Sequence, residues 1–364
     1  MPAGVCGEHA GGPATHPQGS ARAGEGHQSG AAQHAADYRL PMETRALGPS
    51  GLDVSRLLLG CGNFGGVGSA PQLFGLGESE EAAFELMDTA VAAGINVFDT
   101  ADAYGGGRSE TMIGRWLAER RPEPRPLLST KVYNPMDAGE DHGLAPARVL
   151  RQLDSSLQRL RVDRVDMYVT HAWDADTPIA ETLRALDELV RAGKVGAIGA
   201  SNVTAAQLDE ALATSAEHGL ARFEWVQNEY SLLHRDPEDG VFALCERHEL
   251  GFTPFSPLAG GWLTGKYRRG EAVPPGSRMA LRPGAYSEFE NGATYDAVDR
   301  FLDAAGERDM PPAALAIAWT LSHPSVTAAV IGPRRPAQLQ SLLPAVDLQL
   351  DESERAELAE LFPR

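Results

Sequence analysis

Short apolar runs alternate with longer segments of helical periodicity from residue 57 onward. The short runs are rich in β-branched and other apolar side chains and are bounded by turn residues, which is typical of buried strands. They cover residues 57–60, 96–100, 127–131, 166–170, 195–200, 225–228, 251–255 and 327–331. Strands that alternate with helices pair in parallel through right-handed crossovers, so the pattern predicts an α/β fold.

Helical periodicity lies between these strands. The predicted helices span residues 79–93, 144–160, 179–191, 205–216 and 311–321. The first begins like an N-cap, because Ser79 precedes two glutamates that suit the positive end of a helix dipole. About eight strand–helix units favour a closed (β/α)8 TIM barrel. Periodicity by itself leaves an open doubly wound sheet as the alternative.

The segment before the first barrel strand has a different pattern. Residues 44–56 predict a β-hairpin, two short strands around a Gly-Pro-Ser-Gly turn. Residues 1–37 are dominated by small residues, proline and histidine, and burial of so few apolar groups cannot offset the entropy of ordering. We therefore expect a disordered low-complexity tail over residues 1–37 and a single domain over residues 38–364.

Composition excludes several classes of function. A net charge of −18 argues against nucleic acid or an anionic membrane as a partner, since either needs a clustered basic face. Cys6, Cys61 and Cys245 are few and far apart, so neither a disulfide framework nor a zinc site is indicated. No apolar run approaches the roughly 18 residues of a membrane helix, and the N-terminus lacks a signal-peptide core. We expect a cytoplasmic protein without a metal.

Ionisable residues close three of the predicted strands. Asp99, Lys131 and His171 each lie at or just after the carboxyl end of a strand, where a barrel places its chemistry. Lys131 is one of only three lysines in an arginine-rich chain. A lysine at this position indicates a need for a compact ammonium group with an adjustable pKa.

Residues 99–110 carry the most specific motif, Asp-Thr-Ala-Asp-Ala-Tyr-Gly-Gly-Gly-Arg-Ser-Glu. This motif resembles the signature of the aldo-keto reductases, in particular the long-loop branch with bacterial aldo/keto reductases and potassium-channel β subunits. The resemblance extends from about residue 39 to the C-terminus and implies a barrel whose bottom is closed by the hairpin. It also implies a catalytic tetrad of Asp99, Tyr104, Lys131 and His171.

The resemblance implies NADPH-dependent reduction of an aldehyde or ketone to an alcohol, with Tyr104 as the proton donor. Hydride transfer builds negative charge on the carbonyl oxygen, so a donor and a cation must be positioned there beforehand. Lys131, held by Asp99, would stabilise the phenolate and lower the pKa of Tyr104, and His171 would orient the carbonyl. Each residue taken singly is better explained by packing or structural pairing, but the four together favour catalysis.

NADPH is expected rather than NADH. Arg334 and Arg335 follow the last strand beside a helix predicted to begin near Pro336, where an additional phosphate could bind. The other cofactor contacts are implied by the resemblance alone. They are Ser201, Asn202 and Gln227 at the nicotinamide carboxamide, Phe255 stacked on the ring, Ser256, Leu258 and Lys266 at the pyrophosphate, and Gly332, Arg334 and Gln338 on the adenosine side.

The chain departs from the family pattern near both ends of the cofactor. Ser341-Leu342 replaces the Glu-Asn pair that binds adenine in many relatives, and Phe255 replaces a more usual Tyr or Trp. Cys61-Gly62 replaces a threonine followed by a large side chain, so we expect a roomier substrate pocket bordered by Gly62 and Trp173. Specificity belongs to the loops after Lys131 and Gly260, which leaves sugar ketones, quinones, small aldehydes and biosynthetic intermediates open.

Two alternatives compete with a reductase. A nicotinamide-binding regulatory or redox-sensing subunit with little turnover is the second hypothesis. A metal-dependent barrel hydrolase is disfavoured, because no His/Asp/Glu cluster has ligand spacing. No G-x-G-x-x-G follows a strand and opens a helix, which disfavours a Rossmann domain. The expected partner is a small-molecule carbonyl substrate, and assembly into a homo-oligomer stays open.

Overall fold

The structure, a computed structural model, describes residues 42–139, 141–362 and 364. The tail predicted over residues 1–37 lies outside the described residues, so its disorder stays a prediction. Within the described ranges no helix is both long enough and apolar enough to cross a membrane.

Among the residues that the structure describes, ten strands form a hairpin and a barrel. The hairpin strands are β1 (Thr44–Ala46) and β2 (Asp53–Ser55). The barrel strands are β3 (Leu57–Gly60), β4 (Val97–Asp99), β5 (Leu127–Val132), β6 (Val165–Thr170), β7 (Val195–Ser201), β8 (Phe223–Gln227), β9 (Gly251–Phe252) and β10 (Ala329–Ile331). All eight predicted strands are confirmed, with ends shifted by a few residues.

The barrel strands are parallel and follow the order β10-β3-β4-β5-β6-β7-β8-β9. Backbone hydrogen bonds also join β9 and β10, the two strands at the ends of this order, through the residues next to them. Thr327 N donates to Phe252 O and Val330 N donates to Pro254 O, both at 2.8 Å. The sheet therefore closes on itself as a (β/α)8 barrel, and the open doubly wound alternative is wrong.

Helices surround the sheet. They are α1 (Glu80–Ala92), α2 (Arg108–Arg120), α3 (Pro146–Leu160), α4 (Ile179–Arg191), α5 (Ala205–His218), α6 (Val241–His248), α7 (Arg278–Leu281), α8 (Gly292–Glu307), α9 (Pro312–Leu321), α10 (Pro336–Leu342) and α11 (Glu352–Glu360). The five helices predicted between the strands and the helix predicted to begin near Pro336 are confirmed. Ser79 caps α1 by accepting a hydrogen bond from Ala82 N. The pattern missed α2 because this helix buries Ser109 and Glu110 together with its apolar residues.

The hairpin closes the bottom of the barrel, as expected. Leu47 in its turn is fully buried and packs with Leu58 and Trp225 in the barrel interior. Gly48 adopts a φ of +53°, and a Cβ there would lie 2.4 Å from Glu224 O and 2.7 Å from Gly251 N. The turn is therefore pressed against the N-terminal ends of β8 and β9.

The opposite face holds the long loops. Two of them, after Lys131 and from Gly260 onward, were predicted. A third, residues 61–79, was not, and it is folded back on itself by a bridge between Phe64 and Glu78. All three leave the carboxyl ends of barrel strands and therefore surround the strand-end ionisable residues.

Replacement of Leu47 by alanine tests whether the hairpin closes the bottom of the barrel. Leu47→Ala should lower the free energy of unfolding by about 2–5 kcal/mol, because it leaves a cavity at the barrel bottom. Leu76→Ala is the matched control, since Leu76 is 53% exposed and its loss should cost less than about 0.5 kcal/mol. Urea unfolding of both variants measures the difference, and equal effects would show that the hairpin does not plug the barrel.

Candidate active site

The motif at residues 99–110 wraps around the end of β5. After β4 ends at Asp99, the chain turns through Gly105, Gly106 and Gly107, whose φ angles are +58°, +64° and +85°. A Cβ on Gly105 would lie 2.9 Å from Phe64 O, so a side chain would clash as well as strain the backbone. The glycine run belongs to the turn that carries the tyrosine, as the sequence indicated.

A buried ion pair forms the centre of the site. Lys131 Nζ lies 2.5 Å from Asp99 Oδ2 and 2.8 Å from Thr100 O. The side chains of Lys131 and Asp99 are only 1% and 4% exposed. Ser129 Oγ donates to the second carboxylate oxygen, Oδ1, at 3.0 Å. A buried charge pair is tolerated when its remaining donors and acceptors are satisfied, and these contacts satisfy them.

Tyr104 lies between this pair and His171. Its hydroxyl is 3.3 Å from Lys131 Nζ and 3.5 Å from His171 Nε2. The tyrosine and imidazole rings meet edge to face, with centroids 5.5 Å apart. The structure thus brings together all four residues of the expected tetrad.

The protonation states follow from burial and from these charges. Burial works to lower the pKa of Lys131, but Asp99 and Tyr104 outweigh it, so the pKa is raised and the amine stays protonated. Burial raises the pKa of Tyr104, while Lys131 lowers it. Lys131 therefore acts in the expected direction, but burial outweighs it and the net shift of the Tyr104 pKa is upward. Tyr104 holds its proton at neutral pH.

His171 is neutral. Burial, assisted by the positive charge of Lys131, lowers its pKa to about 3. Asn134 contacts its ring, because the amide Nδ2 lies 3.1 Å from His171 Nδ1. Asn134 is in turn held by Arg148, whose guanidinium donates to Asn134 O at 2.8 Å. Nothing in the sequence pointed to Asn134 apart from its place three positions after Lys131.

Two expected cofactor residues, Asn202 and Gln227, are bonded to the tetrad, and a third, Ser201, is bonded to Gln227. Asn202 Nδ2 donates to His171 O at 2.8 Å, and Ser201 Oγ donates to Gln227 O at 2.6 Å. Gln227 Nε2 donates to Asp99 Oδ1 at 3.1 Å. The amide of Gln227, which was expected at the nicotinamide carboxamide, therefore also helps to hold the carboxylate of the Asp99–Lys131 ion pair.

Gly62 lies directly beside Tyr104. A Cβ on Gly62 would be in van der Waals contact with the Tyr104 ring, at 3.5–3.8 Å. Phe255 is half-buried and packs on the interior cluster. Trp173 is half-buried against the outer core, and its place in the pocket wall stays a prediction. Burial raises the pKa of the adjacent Cys61 thiol well above its usual value, which makes it unreactive.

The loop after β9 approaches the barrel mouth with unusual backbone geometry. Ser256, Gly260 and Gly261 all have φ angles in the left-handed region, at +55°, +63° and +101°. Leu258, between them, is partly buried against the core. Successive turns of this kind direct backbone N–H groups toward an anion in many phosphate sites.

Four cations gather beside this loop. Burial lowers the pKa values of Lys266 and Arg278, and the positive charges of neighbouring arginines lower them further. The cations therefore repel one another. The group is Lys266, Arg278, Arg282 and Arg334, here called the cationic cluster. Sequence reasoning found Lys266 and Arg334 but missed the two arginines of the loop, although basic residues in a long loop of an acidic chain could have indicated them.

Arg334 already forms an ion pair and hydrogen bonds with other residues of the chain. Its guanidinium forms an ion pair with Glu78 and donates to Gly276 O at 2.8 Å. Its backbone N donates to Gln338 Oε1 at 2.8 Å, and Gly332 is exposed nearby. Leu342, which stands in place of the adenine-binding residue of many relatives, is buried in the core.

A buried carboxyl lies behind the tetrad. Asp102 is fully buried, and among the described residues neither of its carboxyl oxygens has a hydrogen-bond partner. Burial, with the nearby charge of Glu110, raises the pKa of Asp102 to about 8. Glu110 itself is paired with Arg159 at 2.6 Å. Across the described ranges, no three His, Cys, Asp or Glu side chains are arranged to hold a metal ion.

Comparison with known proteins gives a consistent family. The model of the aldo/keto reductase family matches residues 56–362. An uncharacterized oxidoreductase of Bacillus subtilis, YrpG, is 36% identical over 88% of this chain and 96% of its own length. A probable voltage-gated potassium channel subunit beta of Arabidopsis thaliana is 34% identical over 84% and 92%. Protein tas of Escherichia coli is 31% identical over 87% and 96%.

Asp102→Asn tests the buried carboxyl. The folded chain keeps the Asp102 proton up to about pH 8, whereas the unfolded chain loses it above about pH 4, so ionisation disfavours folding as the pH rises between these values. The stability of Asp102→Asn relative to the wild type should therefore increase by about 3–5 kcal/mol from pH 4 to pH 8. Urea unfolding across this range measures it. The exposed Asp209→Asn should stay within about 0.5 kcal/mol throughout, and a pH-independent difference for Asp102→Asn would contradict the assignment.

Proposed function

The chain belongs to the aldo/keto reductase family, and on that premise we propose that it is an NADPH-dependent reductase of aldehydes or ketones. Membership makes it an oxidoreductase of a family that reduces carbonyl groups. The observation that carries the finer proposal is the contact of Tyr104 with both Lys131 and His171 at the carboxyl ends of the barrel strands.

The residues at the barrel mouth fit a nicotinamide cofactor. The side chains of Ser201, Asn202 and Gln227 supply amide and hydroxyl groups suited to a carboxamide, and the half-buried Phe255 supplies a flat apolar surface. The left-handed turns around Ser256 and the cationic cluster suit a pyrophosphate and an additional phosphate. When bound, the cofactor supplies the hydride.

The chain's own residues handle the proton and the developing charge. As hydride reaches the carbonyl carbon, Tyr104 donates its hydroxyl proton to the oxygen and becomes a phenolate. The ammonium of Lys131, fixed by Asp99 at 2.5 Å, stabilises that phenolate in a buried site where Coulombic attraction is strong. His171 is neutral and therefore adds no positive charge of its own. It orients the carbonyl oxygen beside the tyrosine.

The regulatory-subunit alternative is not favoured. One relative carries the name of a channel subunit, but others are named as oxidoreductases. In this chain Tyr104 and Lys131 are in contact, as proton donation requires, and the small Gly62 lies beside the tyrosine ring. We propose a small-molecule substrate whose carbonyl reaches Tyr104 past Gly62.

Tyr104→Phe tests the proposed reaction. The variant should fold and bind NADPH like the wild type but lose roughly 10²-fold or more in kcat, because the general acid is gone. Steady-state oxidation of NADPH across a panel of aldehydes and ketones measures kcat, and fluorescence titration measures binding. Tyr295→Phe removes the same atom from a tyrosine outside the site and should leave kcat unchanged. Near wild-type turnover in Tyr104→Phe would refute the mechanism, and the absence of turnover in the wild type would refute the function.

Arg334→Ala tests the preference for NADPH. Loss of the guanidinium should weaken NADPH binding by about 1.5–3 kcal/mol, the range for charge-assisted hydrogen bonds, and change NADH binding little. The neighbouring, exposed Arg335→Ala carries the same change in net charge and should cost clearly less.

Glu78 complicates the interpretation of Arg334→Ala, because its carboxylate would lose its partner. The Glu78→Gln/Arg334→Ala double variant removes that carboxylate and separates its repulsion from the lost attraction. The measurement is the dissociation constant of NADPH and of NADH for the wild type, Arg334→Ala, Arg335→Ala and the double variant. Equal losses for NADPH and NADH would show that Arg334 does not bind the additional phosphate.

A further inference from the structure

The amide of Asn134 contacts the side of the His171 ring that faces away from Tyr104. Its Nδ2 lies 3.1 Å from His171 Nδ1, while His171 Nε2 lies 3.5 Å from the Tyr104 hydroxyl. The two ring nitrogens therefore have different neighbours, one an amide donor and the other the reacting hydroxyl.

A neutral imidazole carries one proton, on either nitrogen. With Asn134 Nδ2 turned toward the ring, as in this structure, the amide donates and His171 Nδ1 accepts, so Nδ1 does not hold the proton. The proton is then left on Nε2, beside Tyr104.

We propose that Asn134 is a positioning residue that holds His171 in the Nε2–H tautomer. Its own place is determined by a buried anchor, since Arg148 is 3% exposed and donates to the backbone oxygens of both Asn134 and Gly143. The backbone N of His171 is tied to Val132 O at 2.9 Å, which holds the ring from the strand side. The backbones of both partners are thereby held in place.

The tautomer decides where the Tyr104 proton goes, and this consequence rests on the function proposed above. With the proton on Nδ1, His171 Nε2 would be a lone-pair acceptor beside the tyrosine hydroxyl and would compete for its proton. With the proton on Nε2, the ring is a second donor. The hydroxyl oxygen already accepts from Lys131 at 3.3 Å, so its proton is free to pass to the substrate.

Replacing the amide nitrogen of Asn134 by an oxygen turns the donor in this contact into an acceptor, with almost no change in shape. In Asn134→Asp the carboxylate can only accept, so it should move the proton to Nδ1. Asn134→Ala removes the contact and should leave a mixture of tautomers. The matched control is Asn291→Asp, which makes the same charge change at the exposed N-cap of α8, where aspartate caps as well as asparagine.

Two-dimensional ¹H–¹⁵N correlation of histidine-labelled protein reads the tautomer directly, because protonated and unprotonated ring nitrogens resonate far apart. The His171 signals are identified by their absence in His171→Gln. The expected result is a proton on Nε2 in the wild type and in Asn291→Asp, and on Nδ1 in Asn134→Asp. Turnover of Asn134→Asp with NADPH and the carbonyl panel should fall roughly 10²-fold, with little change in NADPH affinity.

A wild-type proton on Nδ1, or a proton that stays on Nε2 in both Asn134 variants, overturns the proposal. So does a correct shift of tautomer in Asn134→Asp without loss of turnover, since positioning would then have no consequence. If the wild type reduces no carbonyl compound, the proposed reductase function fails, but the spectra still decide whether Asn134 sets the tautomer.

Discussion

The Asp99–Lys131 ion pair is the interaction on which the site depends. A lysine 1% exposed could not stay charged inside a barrel without a carboxylate in contact, and this carboxylate is itself held by Ser129 and Gln227. Because the pair joins neighbouring strands, β4 and β5, its geometry is fixed by the sheet and not by a loop. The hydroxyl of Tyr104 acquires its position and its electrostatic environment from this pair.

Burial acts in opposite directions on the groups of the site, and the neighbours determine which direction prevails. Asp99 overcomes burial for Lys131, so the amine stays charged. For Tyr104 and His171 burial prevails, so both are neutral at physiological pH, one as an acid that keeps its proton and the other as an uncharged ring. For Asp102, burial outweighs the attraction of Arg148 and Arg159, so the pKa of this carboxyl group is raised.

The chain is acidic overall, yet the barrel mouth carries a local excess of positive charge. Lys266, Arg278 and Arg334 lie close enough to repel one another, and the ion pair between Arg334 and Glu78 relieves part of that repulsion. Because the whole chain carries a net charge of −18, this local excess of positive charge would favour an anionic ligand at the barrel mouth. Charge placement therefore complements the geometry of the left-handed loop at Ser256.

The sequence by itself determined the barrel strands, several of the helices between them, the hairpin, and the strand-end residues Asp99, Lys131 and His171, because hydrophobic period and strand position are local properties. It also indicated Tyr104 through its spacing from Asp99. Only the tertiary structure decided that the sheet closes, that Gln227 bonds to Asp99, that Arg278 joins the cationic cluster and that Asn134 meets the ring of His171. These contacts join residues from different loops and strands, and their distances, burial and pKa values exist only once the barrel has brought the strand ends together.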